Sequence, residues 1–425
     1  MPADQTDSNL IRPGYQQRSG ARDDPRMDWW REAKFGLFIH WGLYAQDPGR
    51  WSEYPDTVTH HWTGEWIQHV KRIPRDQYVR WAETFDPRGF DADAWVRLAA
   101  QTGQKYIVIT AKHHDGFCLF KTGTTDFNVV DASPFGRDII AELAEACRRQ
   151  SMPFGLYYSQ AQDWHDPDGL GNDWDDDPQA RDFQAYLDRT CKPQLVELLN
   201  NYGQIAVVWF DTPMSMTAEQ SQQLVDLVHK HQPRCLVCGR IGNGLGDYTS
   251  YRDNKFASGP VDFDFETPMT MNRTWGYVEA DKAFVPAPEL LRKLIETASR
   301  GGNLLCNVGP DEMGLIPDGN RRPLLEAGRW LARNGESIYA SGPAELTGDY
   351  SLLWTRREGK VYLHLLSWPI TGQVDLPDAV AGVESVRLLW PTAQVPVRSE
   401  SGRSMIRLDP AWRSALPLVM ELSID

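Results

Sequence analysis

Asp211 is the residue whose position in this sequence most directly indicates chemistry. It ends the apolar, β-branched run from Ile205, which contains no turn residue before Thr212 and Pro213. Such a run is typical of a fully buried strand. A carboxylate at the end of a buried strand costs free energy unless it faces a cleft or has a partner. The sequence therefore predicts that Asp211 lies at a cleft, where a carboxylate can react with a ligand.

Two further acids are candidates for a second catalytic carboxyl group. Asp253 lies in the polar segment 246–254, and Glu266 follows Phe265 in the segment 264–268. A glycosidase uses one carboxylate to attack or to activate water, and a second carboxyl group to protonate the departing oxygen. Asp211 packed near Arg240 would keep a low pKa and suit the first role. An acid beside aromatic rings would have a raised pKa and suit the second role.

Histidines and a Glu-Trp pair are the other candidates for chemistry. His113 and His114 precede Asp115 after a predicted strand, and His40 ends another. A His-His-Asp set can bind zinc or iron, but adjacent residues on an extended chain point to opposite sides. We therefore expect hydrogen bonds from the histidines to hydroxyl groups of a ligand. In Glu65-Trp66, the carboxylate can bind a hydroxyl group while the indole stacks on a sugar.

Several buried runs stop on polar residues in the same way, and this pattern predicts the fold. Parallel barrels carry their sites at the carboxyl ends of their strands. Apolar runs alternate with helical patterns, as in successive βα units. The runs are Phe35 to Ile39 before His40, Tyr106 to Thr110 before His113, Phe154 to Tyr158 before Ser159, Ile205 to Asp211, Cys235 to Gly239 before Arg240, and Asn303 to Val308. The predicted helices are 91–102, 137–150, 182–200, 218–231, 288–300 and 321–334.

The pattern of predicted elements changes near Pro343. Short strand patterns at 351–355, 360–366, 373–376 and 386–390 follow, separated by Gly, Pro and Asp turns. This spacing predicts an antiparallel β-sandwich. We therefore predict a polar tail over residues 1–26, an irregular (β/α)8-type, TIM-like barrel over 27–342, and a C-terminal antiparallel β-sandwich over 343–425.

Composition excludes several classes of partner. The formal net charge is -14 and there is no basic block, which argues against binding to nucleic acid and to anionic membranes. No apolar stretch approaches the roughly 20 residues of a membrane span. The first residues show no signal-peptide pattern, and the six cysteines fall mostly in apolar patterns. We therefore expect a cytoplasmic protein in a reducing compartment. Nucleotide-binding motifs are absent from the sequence, so we expect no cofactor.

Several segments, in this order, resemble the α-L-fucosidases of glycoside hydrolase family 29. The resemblance runs from about Trp29 to the C-terminus. The most specific segments are His-His-Asp-Gly-Phe from His113 and Gly-Gly-Asn-Leu-Leu from Gly301. The segments that carry it are 34–42, 65–66 with 73–74, 90–95, 110–117, 155–159, 209–211, 275–277, 301–305 and 307–310.

The resemblance implies an irregular barrel followed by a β-sandwich, and a retaining exo-glycosidase that needs no metal or organic cofactor. Asp211 matches the nucleophile. Asp253 and Glu266 match acids that serve as the acid/base in different relatives, and we favour Asp253 slightly. The implied partner is a fucosylated oligosaccharide or glycoconjugate, and a homo-oligomer stays open. The residues that match the fucose pocket are His40, Glu65, Trp66, His113, His114, Tyr158, Trp209, Arg240 and Trp275.

Two alternatives to this function stay open on the sequence. One is a carbohydrate-binding protein on an inactive enzyme scaffold, which would require a misplaced acid/base. The other is a metal-dependent hydrolase that uses His113, His114 and Asp115 as ligands.

Overall fold

An eight-stranded parallel sheet forms the first part of the chain. The computed structural model describes residues 23–46, 64–344, 346, 351–380, 382–400 and 403–423. Numbered along the chain, its strands lie in the order β5-β4-β3-β2-β1-β8-β7-β6. Because all strands run the same way, their carboxyl ends meet at one edge. The strands are β1 (Phe35–Ile39), β2 (Ile107–Lys112), β3 (Phe154–Ser159), β4 (Val207–Asp211), β5 (Leu236–Val237), β6 (Thr249–Ser250), β7 (Phe265–Thr270) and β8 (Asn303–Val308).

The sheet curls until β5 and β6 approach each other. A single parallel bridge joins Cys238, just after β5, to Tyr248, just before β6. The Asp247 N–H also donates to the Val237 carbonyl oxygen at 2.7 Å. Both strands are only two residues long, so the barrel has one thin seam.

The helices pack around the sheet, unevenly distributed among its connections. Residues 238–264, all of which the structure describes, contain no α-helix, so β5, β6 and β7 follow one another through loops. This departure makes the barrel irregular. The helices are α1 (Asp28–Ala33), α2 (Ile67–Lys71), α3 (Arg75–Tyr78), α4 (Ala92–Gln101), α5 (Ile139–Arg149), α6 (Phe183–Tyr186), α7 (Lys192–Asn201), α8 (Ala218–His231), α9 (Ala287–Ser299) and α10 (Asp318–Asn334).

Side-chain caps fix where several helices begin. Asp91 accepts the Ala94 N–H at the start of α4. Asp138 accepts the Ala141 N–H at the start of α5, and Thr217 forms a capping box with Gln220 before α8. These side chains satisfy N–H groups that have no partner inside the helix. The caps of α5 and α8 therefore fix where the connections that follow β2 and β4 end.

The C-terminal part is an eight-stranded antiparallel sheet of order β12-β15-β14-β13-β16-β11-β10-β9. Residues from both ends of this sheet, such as Val374 and Ile406 at one end and Trp354 and Leu363 at the other, share one apolar core. The sheet therefore folds over itself as a sandwich. Its strands are β9 (Gly342–Pro343), β10 (Leu352–Arg357), β11 (Lys360–Leu365), β12 (Gln373–Asp375), β13 (Ser385–Leu388), β14 (Ala393–Glu400), β15 (Arg403–Arg407) and β16 (Leu418–Ser423).

The predicted fold class is confirmed, with a parallel barrel-like sheet followed by an antiparallel sheet domain. The sequence pattern did not reveal β14, β15 and β16. Residues 1–22 of the predicted tail lie outside the described residues. Arg26, the last residue of the predicted tail, pairs with Asp247 at 2.7 Å and so packs against the barrel. The domain boundaries themselves stay predictions.

The described residues bear on two sequence expectations, the absence of a membrane span and the burial of the cysteines. Within them, no helix combines the length and the apolar character required to cross a membrane. All six cysteines are buried and free.

Candidate active site

Asp211 lies at the carboxyl end of β4 with 15% of its side chain exposed. Its Oδ2 accepts a hydrogen bond from the Tyr157 hydroxyl at 3.1 Å, and its backbone N–H donates to Gln160 Oε1 at 2.9 Å. Burial opposes ionisation of Asp211, but the charge of Arg240 and the hydrogen bonds from Arg240 and Tyr157 outweigh it and lower the pKa. Asp211 is thus a fixed, ionised carboxylate that reaches the open end of the barrel.

Arg240 connects Asp211 to Asp253. Its Nη1 donates to Asp211 Oδ1 at 3.0 Å, and its Nη2 donates to Asp253 Oδ1 at 2.5 Å. The Asp253 side chain is 47% exposed. The next residue, Asn254, accepts the Thr270 N–H at 2.9 Å and so fixes this loop to the carboxyl end of β7. The structure therefore brings the two carboxyl groups to the same guanidinium, on the same side of the pocket.

Aromatic rings lie directly beneath the carboxylate. Trp209, two residues before Asp211 on β4, stacks on Tyr157 of β3 with 5.7 Å between ring centroids. The guanidinium of Arg240 lies 4.8 Å above the Trp209 ring. Alternate residues of a strand share one face, so Trp209 and Asp211 form two successive layers of the barrel interior. Both groups that bind Asp211 thus rest on the same indole.

His113 and His114 lie on the same side of the chain, which corrects the expectation that they point apart. Their ring centroids are 4.2 Å apart, because the β2 register shifts between Thr110 and Lys112 and the chain leaves the strand at Lys112. His114 Nδ1 lies 2.6 Å from Ser159 Oγ, and His114 Nε2 lies 3.8 Å from the nucleophile candidate. Burial lowers the pKa of His114 to about 4 and that of His113 well below its usual value, so both are neutral at pH 7.

His40 and Trp275 complete the opposite wall. His40 Nδ1 lies 2.7 Å from Asn307 Oδ1, and Asn307 Nδ2 donates to the Trp275 carbonyl oxygen at 2.7 Å. The His40 ring contacts those of Tyr157, His113 and Trp275 at 5.3, 5.7 and 5.0 Å. Burial lowers the pKa of His40 to about 3. These contacts place the three histidines around one hollow.

Glu65 closes the wall next to Trp275. Its Oε2 accepts the Gly276 N–H at 2.8 Å, and burial raises its pKa to about 7. A β-carbon on Gly309 would lie 2.7 Å from the Tyr277 nitrogen and 2.8 Å from the Gly276 carbonyl carbon. Glycine at the end of β8 therefore lets the segment carrying Trp275 cross close over the strand.

Trp66 adds a ring on the His114 side, with 5.1 Å between centroids. It also contacts Trp164 and His69 at 5.3 and 5.2 Å. Trp66 is half-buried, so part of its surface faces solvent. Residues 47–63, which precede this segment, lie outside the described residues.

The prediction for Tyr158 is wrong in position. Tyr158 is buried on the other side of β3, where its hydroxyl donates to Gln194 Oε1 at 2.7 Å and its ring lies 4.7 Å from Lys112 Nζ. Side chains alternate along a strand, so Tyr157 is the residue that faces the pocket.

Glu266 is also misplaced for a role as acid/base. It is the second residue of β7, paired with Asn303 and Ser250, and its exposed fraction is 0%. Its Oε1 accepts the Trp209 indole N–H at 2.7 Å. The indole therefore lies between Glu266 and the pocket. A residue that protonates a leaving group must reach that group, and this carboxyl group does not.

Asp115 does not join the histidines as a third metal ligand. Its Oδ2 accepts the Tyr78 hydroxyl at 2.8 Å, and its Oδ1 accepts the Phe117 N–H at 3.2 Å. Within the residues that the structure describes, no group of three or more His, Cys, Asp or Glu side chains is arranged to hold a metal ion. The geometry gives the metal-dependent alternative no support.

Sequence reasoning missed three pocket residues besides Tyr157. Gln160 accepts the Asp211 N–H, Ser159 contacts His114, and Asn307 contacts His40. Each stands at or just after the end of a predicted strand, as Asp211 does. A polar residue at a strand end was therefore the signal. We used Ser159 to locate a strand end but did not assign it, Gln160 or Asn307 to the pocket.

A pH-dependent stability difference is expected for the variant Glu65→Gln. Between about pH 4.5 and 7 the folded chain holds a proton on Glu65 that the unfolded chain has lost. The contribution of Glu65 to the free energy of unfolding is therefore full below pH 4.5 and falls as the pH rises through 7. Glutamine does not titrate. The free energy of unfolding of the variant, relative to that of wild type, should therefore rise by about 3 kcal/mol at most between pH 4 and 8.

Urea denaturation at several pH values measures this difference. Glu219→Gln, at an exposed position on α8, serves as the control and should keep a constant difference from wild type. A constant difference for Glu65→Gln as well would contradict the prediction.

Comparison with known proteins gives consistent matches. The alpha-L-fucosidase family model matches residues 6–336. Tissue alpha-L-fucosidase of Rattus norvegicus is 31% identical over 374 residues, covering 83% of this chain and 79% of that protein. The crystal structure of alpha-L-fucosidase from Vibrio sp. strain EJY3 superposes with a TM-score of 0.88 at 32% identity, over 95% of this chain and 73% of that one. Alpha-L-fucosidase AlfC from Lactobacillus casei, solved with α-L-fucose product, gives a TM-score of 0.68 at 38% identity, over 74% of this chain and 100% of that one.

Proposed function

Because the chain belongs to the α-L-fucosidase family of glycoside hydrolases, we propose that it is a retaining exo-enzyme that removes terminal α-L-fucosyl residues from oligosaccharides or glycoconjugates. The observation that carries this proposal is the ionised Asp211 carboxylate, held by Arg240 and Tyr157 in a hollow lined by neutral histidines. Such a group suits attack on an anomeric carbon in a retaining mechanism.

In the first step, Asp211 Oδ2 or Oδ1 attacks C1 of the fucosyl unit and the glycosidic bond breaks. The product is a covalent fucosyl-aspartate and the departing alcohol. Arg240 and Tyr157 fix the carboxylate before the reaction, which lowers the entropic part of the barrier. Two successive displacements at C1 give overall retention of configuration.

Asp253 is the proposed acid/base. Its contact with Arg240 suits a carboxylate, so the side chain has to turn toward the glycosidic oxygen once substrate fills the pocket. Its exposure and its position in a loop support such a movement. After protonating the departing oxygen, Asp253 removes a proton from the water that attacks the fucosyl-aspartate.

The remaining pocket residues are proposed to bind the sugar. His113 Nδ1 is buried and has no hydrogen-bond partner in the described part of the chain, so a sugar hydroxyl group would satisfy it. Glu65 can donate or accept near pH 7. Trp66 and Trp275 offer faces to the apolar parts of the ring. The enclosed floor formed by Trp209 and Tyr157 supports removal of single terminal residues.

Hydrolysis of an aryl α-L-fucoside is the direct test, with the matching aryl galactoside and arabinoside as controls. We expect selective turnover of the fucoside, and NMR spectroscopy should detect α-L-fucose before the β-anomer forms by mutarotation. Initial release of the β-anomer would contradict retention. Equal turnover of the other glycosides would contradict the specificity.

The two alternative functions have less support. A non-catalytic binding protein would require a misplaced acid/base, whereas Asp253 and Asp211 contact the same guanidinium. For the metal-dependent alternative, the described residues contain no group of three or more His, Cys, Asp or Glu side chains arranged to hold a metal ion. The fucosylated partner follows from the family. Cytoplasmic location and a homo-oligomeric state stay predictions from the sequence.

A further inference from the structure

Glu266 is a fully buried acid that the proposed mechanism does not use. Three donors surround its carboxyl group: the Tyr106 hydroxyl at 2.6 Å, the Trp209 indole N–H at 2.7 Å and the Tyr248 hydroxyl at 3.4 Å. Burying a carboxyl group in a barrel core costs free energy even when hydrogen bonds satisfy it. An apolar residue at this position would avoid that cost, so the acid requires an explanation.

The Trp209 ring is the one partner of Glu266 that also touches the pocket. Its faces and edges contact Tyr157, Arg240 and Phe38 at 5.7, 4.8 and 4.9 Å. Tyr157 and Arg240 are the two side chains that bind the Asp211 carboxylate. The χ2 well of tryptophan is broad, and a hydrogen bond from the indole N–H narrows the range of ring orientations.

We propose that Glu266 is a positioning residue: by accepting the indole N–H it fixes the plane of Trp209, on which Arg240 and Tyr157 rest while they orient Asp211. The inference deepens the proposed function and rests on it. Glu266 touches neither substrate nor reacting atoms in this scheme. It acts through its hydrogen bond with the Trp209 indole and through the contacts of that ring with Tyr157 and Arg240. These groups lie in successive layers between the middle of the barrel and its open end.

The charge state of Glu266 is consistent with this role. Burial raises its pKa to about 7, while the hydrogen bonds from Tyr106, Trp209 and Tyr248 and the charge of Arg240 lower it in part. Besides burial, the charge of Glu266 in turn raises the pKa of Tyr106, Tyr248 and Cys238. A carboxylate accepts a stronger hydrogen bond than a neutral carboxyl group does, so the indole contact should tighten as Glu266 ionises.

The central test is a double-mutant cycle on kcat/KM for aryl α-L-fucosides. Glu266→Gln keeps an oxygen acceptor but loses the charge, and Trp209→Phe keeps a ring but loses the N–H group. We expect each variant to lower kcat/KM about tenfold to a hundredfold. The double variant should lose little more than Trp209→Phe alone, because Trp209→Phe removes the contact that Glu266→Gln weakens. Losses that multiply in the double variant would overturn the proposal.

Leaving groups distinguish positioning from acid catalysis. Glu266→Gln should lower kcat/KM by the same factor for a nitrophenyl fucoside and for a fucosyl disaccharide, since nucleophile orientation matters equally for both. A much larger loss for the disaccharide would instead assign acid/base chemistry to Glu266 and overturn the positioning role.

Tyr106→Phe is the matched control, because it removes a donor to the same carboxyl group at the side away from the pocket. We expect it to change kcat/KM less than threefold, because the hydrogen bond from the Trp209 indole N–H to Glu266 Oε1 stays in place. If Glu266→Gln does not fold, Trp209→Phe decides: full kcat/KM in that variant overturns the proposal.

An NMR readout separates this inference from the proposed function. In protein labelled with 15N-tryptophan, the indole resonance missing from Trp209→Phe is assigned to Trp209. That resonance should shift with an apparent pKa near 7 in wild type and should not titrate in Glu266→Gln. If wild type hydrolysed no fucoside, the proposed function would fail while this titration still reported the contact. A pH-independent Trp209 resonance in wild type would overturn the inference.

Discussion

Replacing Asp211 by glycine is expected to lower kcat for an α-L-fucoside by at least about 10⁴-fold, since covalent catalysis cannot proceed without its nucleophile. Among the described carboxylates, only Asp211 is bound by both Arg240 and Tyr157. Stopped assays with an aryl α-L-fucoside measure the loss. Asp318→Asn, at an exposed position on α10, is the control and should keep wild-type kcat.

Azide makes this result specific to a nucleophile. Glycine leaves space where the carboxylate was, so azide can attack C1 from the same side. A single displacement inverts the configuration, and the product should be the β-L-fucosyl azide. NMR spectroscopy of the product identifies the anomer. A folded Asp211→Gly protein that retains more than about 1% of kcat, or that azide converts to the α-azide, would refute the nucleophile role.

The barrel could be predicted because strand ends carry information that does not depend on neighbours. Apolar runs that stop on Asp211, His40 and Arg240 all proved to end at the same edge. Because parallel strands align their carboxyl ends, one-dimensional positions translated directly into a shared cavity. The later strands of the C-terminal sheet lacked such a marker, since β14 and β15 are polar and partly exposed.

The direction of side chains was harder to predict than the position of strands. In the run from Phe154 to Ser159 both faces are buried, so polarity does not distinguish the inward residue from the outward one. Tyr157 and Tyr158 are chemically identical, and only the pairing with β4 decides which one meets Asp211. A register shift after Thr110 likewise decides the direction of the His113 and His114 side chains. No local sequence signal reported that shift.

The position of a residue along its strand was the third feature that the sequence did not predict. The pair Phe265-Glu266 looked like a loop acid beside an aromatic ring, but both residues begin β7. The strand start is hidden because Pro268 interrupts the apolar pattern, and proline is uncommon inside strands. An acid at the beginning of a strand lies below the pocket, whereas an acid at its end lies inside it.

Asp253→Asn is expected to produce the second large effect, and its size should depend on the leaving group. For a fucosyl disaccharide, whose departing alcohol needs a proton, kcat/KM should fall by about 10²- to 10⁴-fold. For a nitrophenyl fucoside, whose leaving group departs as an anion, the loss should stay within about tenfold. Rates on the two substrates, compared with the uniform loss expected of Glu266→Gln, measure this dependence.

Azide again reports the step that is affected, with the opposite stereochemistry from Asp211→Gly. The Asp253→Asn protein should accumulate fucosyl-aspartate, and azide should release it as the α-L-fucosyl azide after two inversions. Equal losses on both substrates would exclude Asp253. Glu65 would then be the next candidate, since its pKa is raised to about 7. However, its side chain is buried and bound to the Gly276 N–H, whereas Asp253 lies in an exposed loop and can move to the departing oxygen.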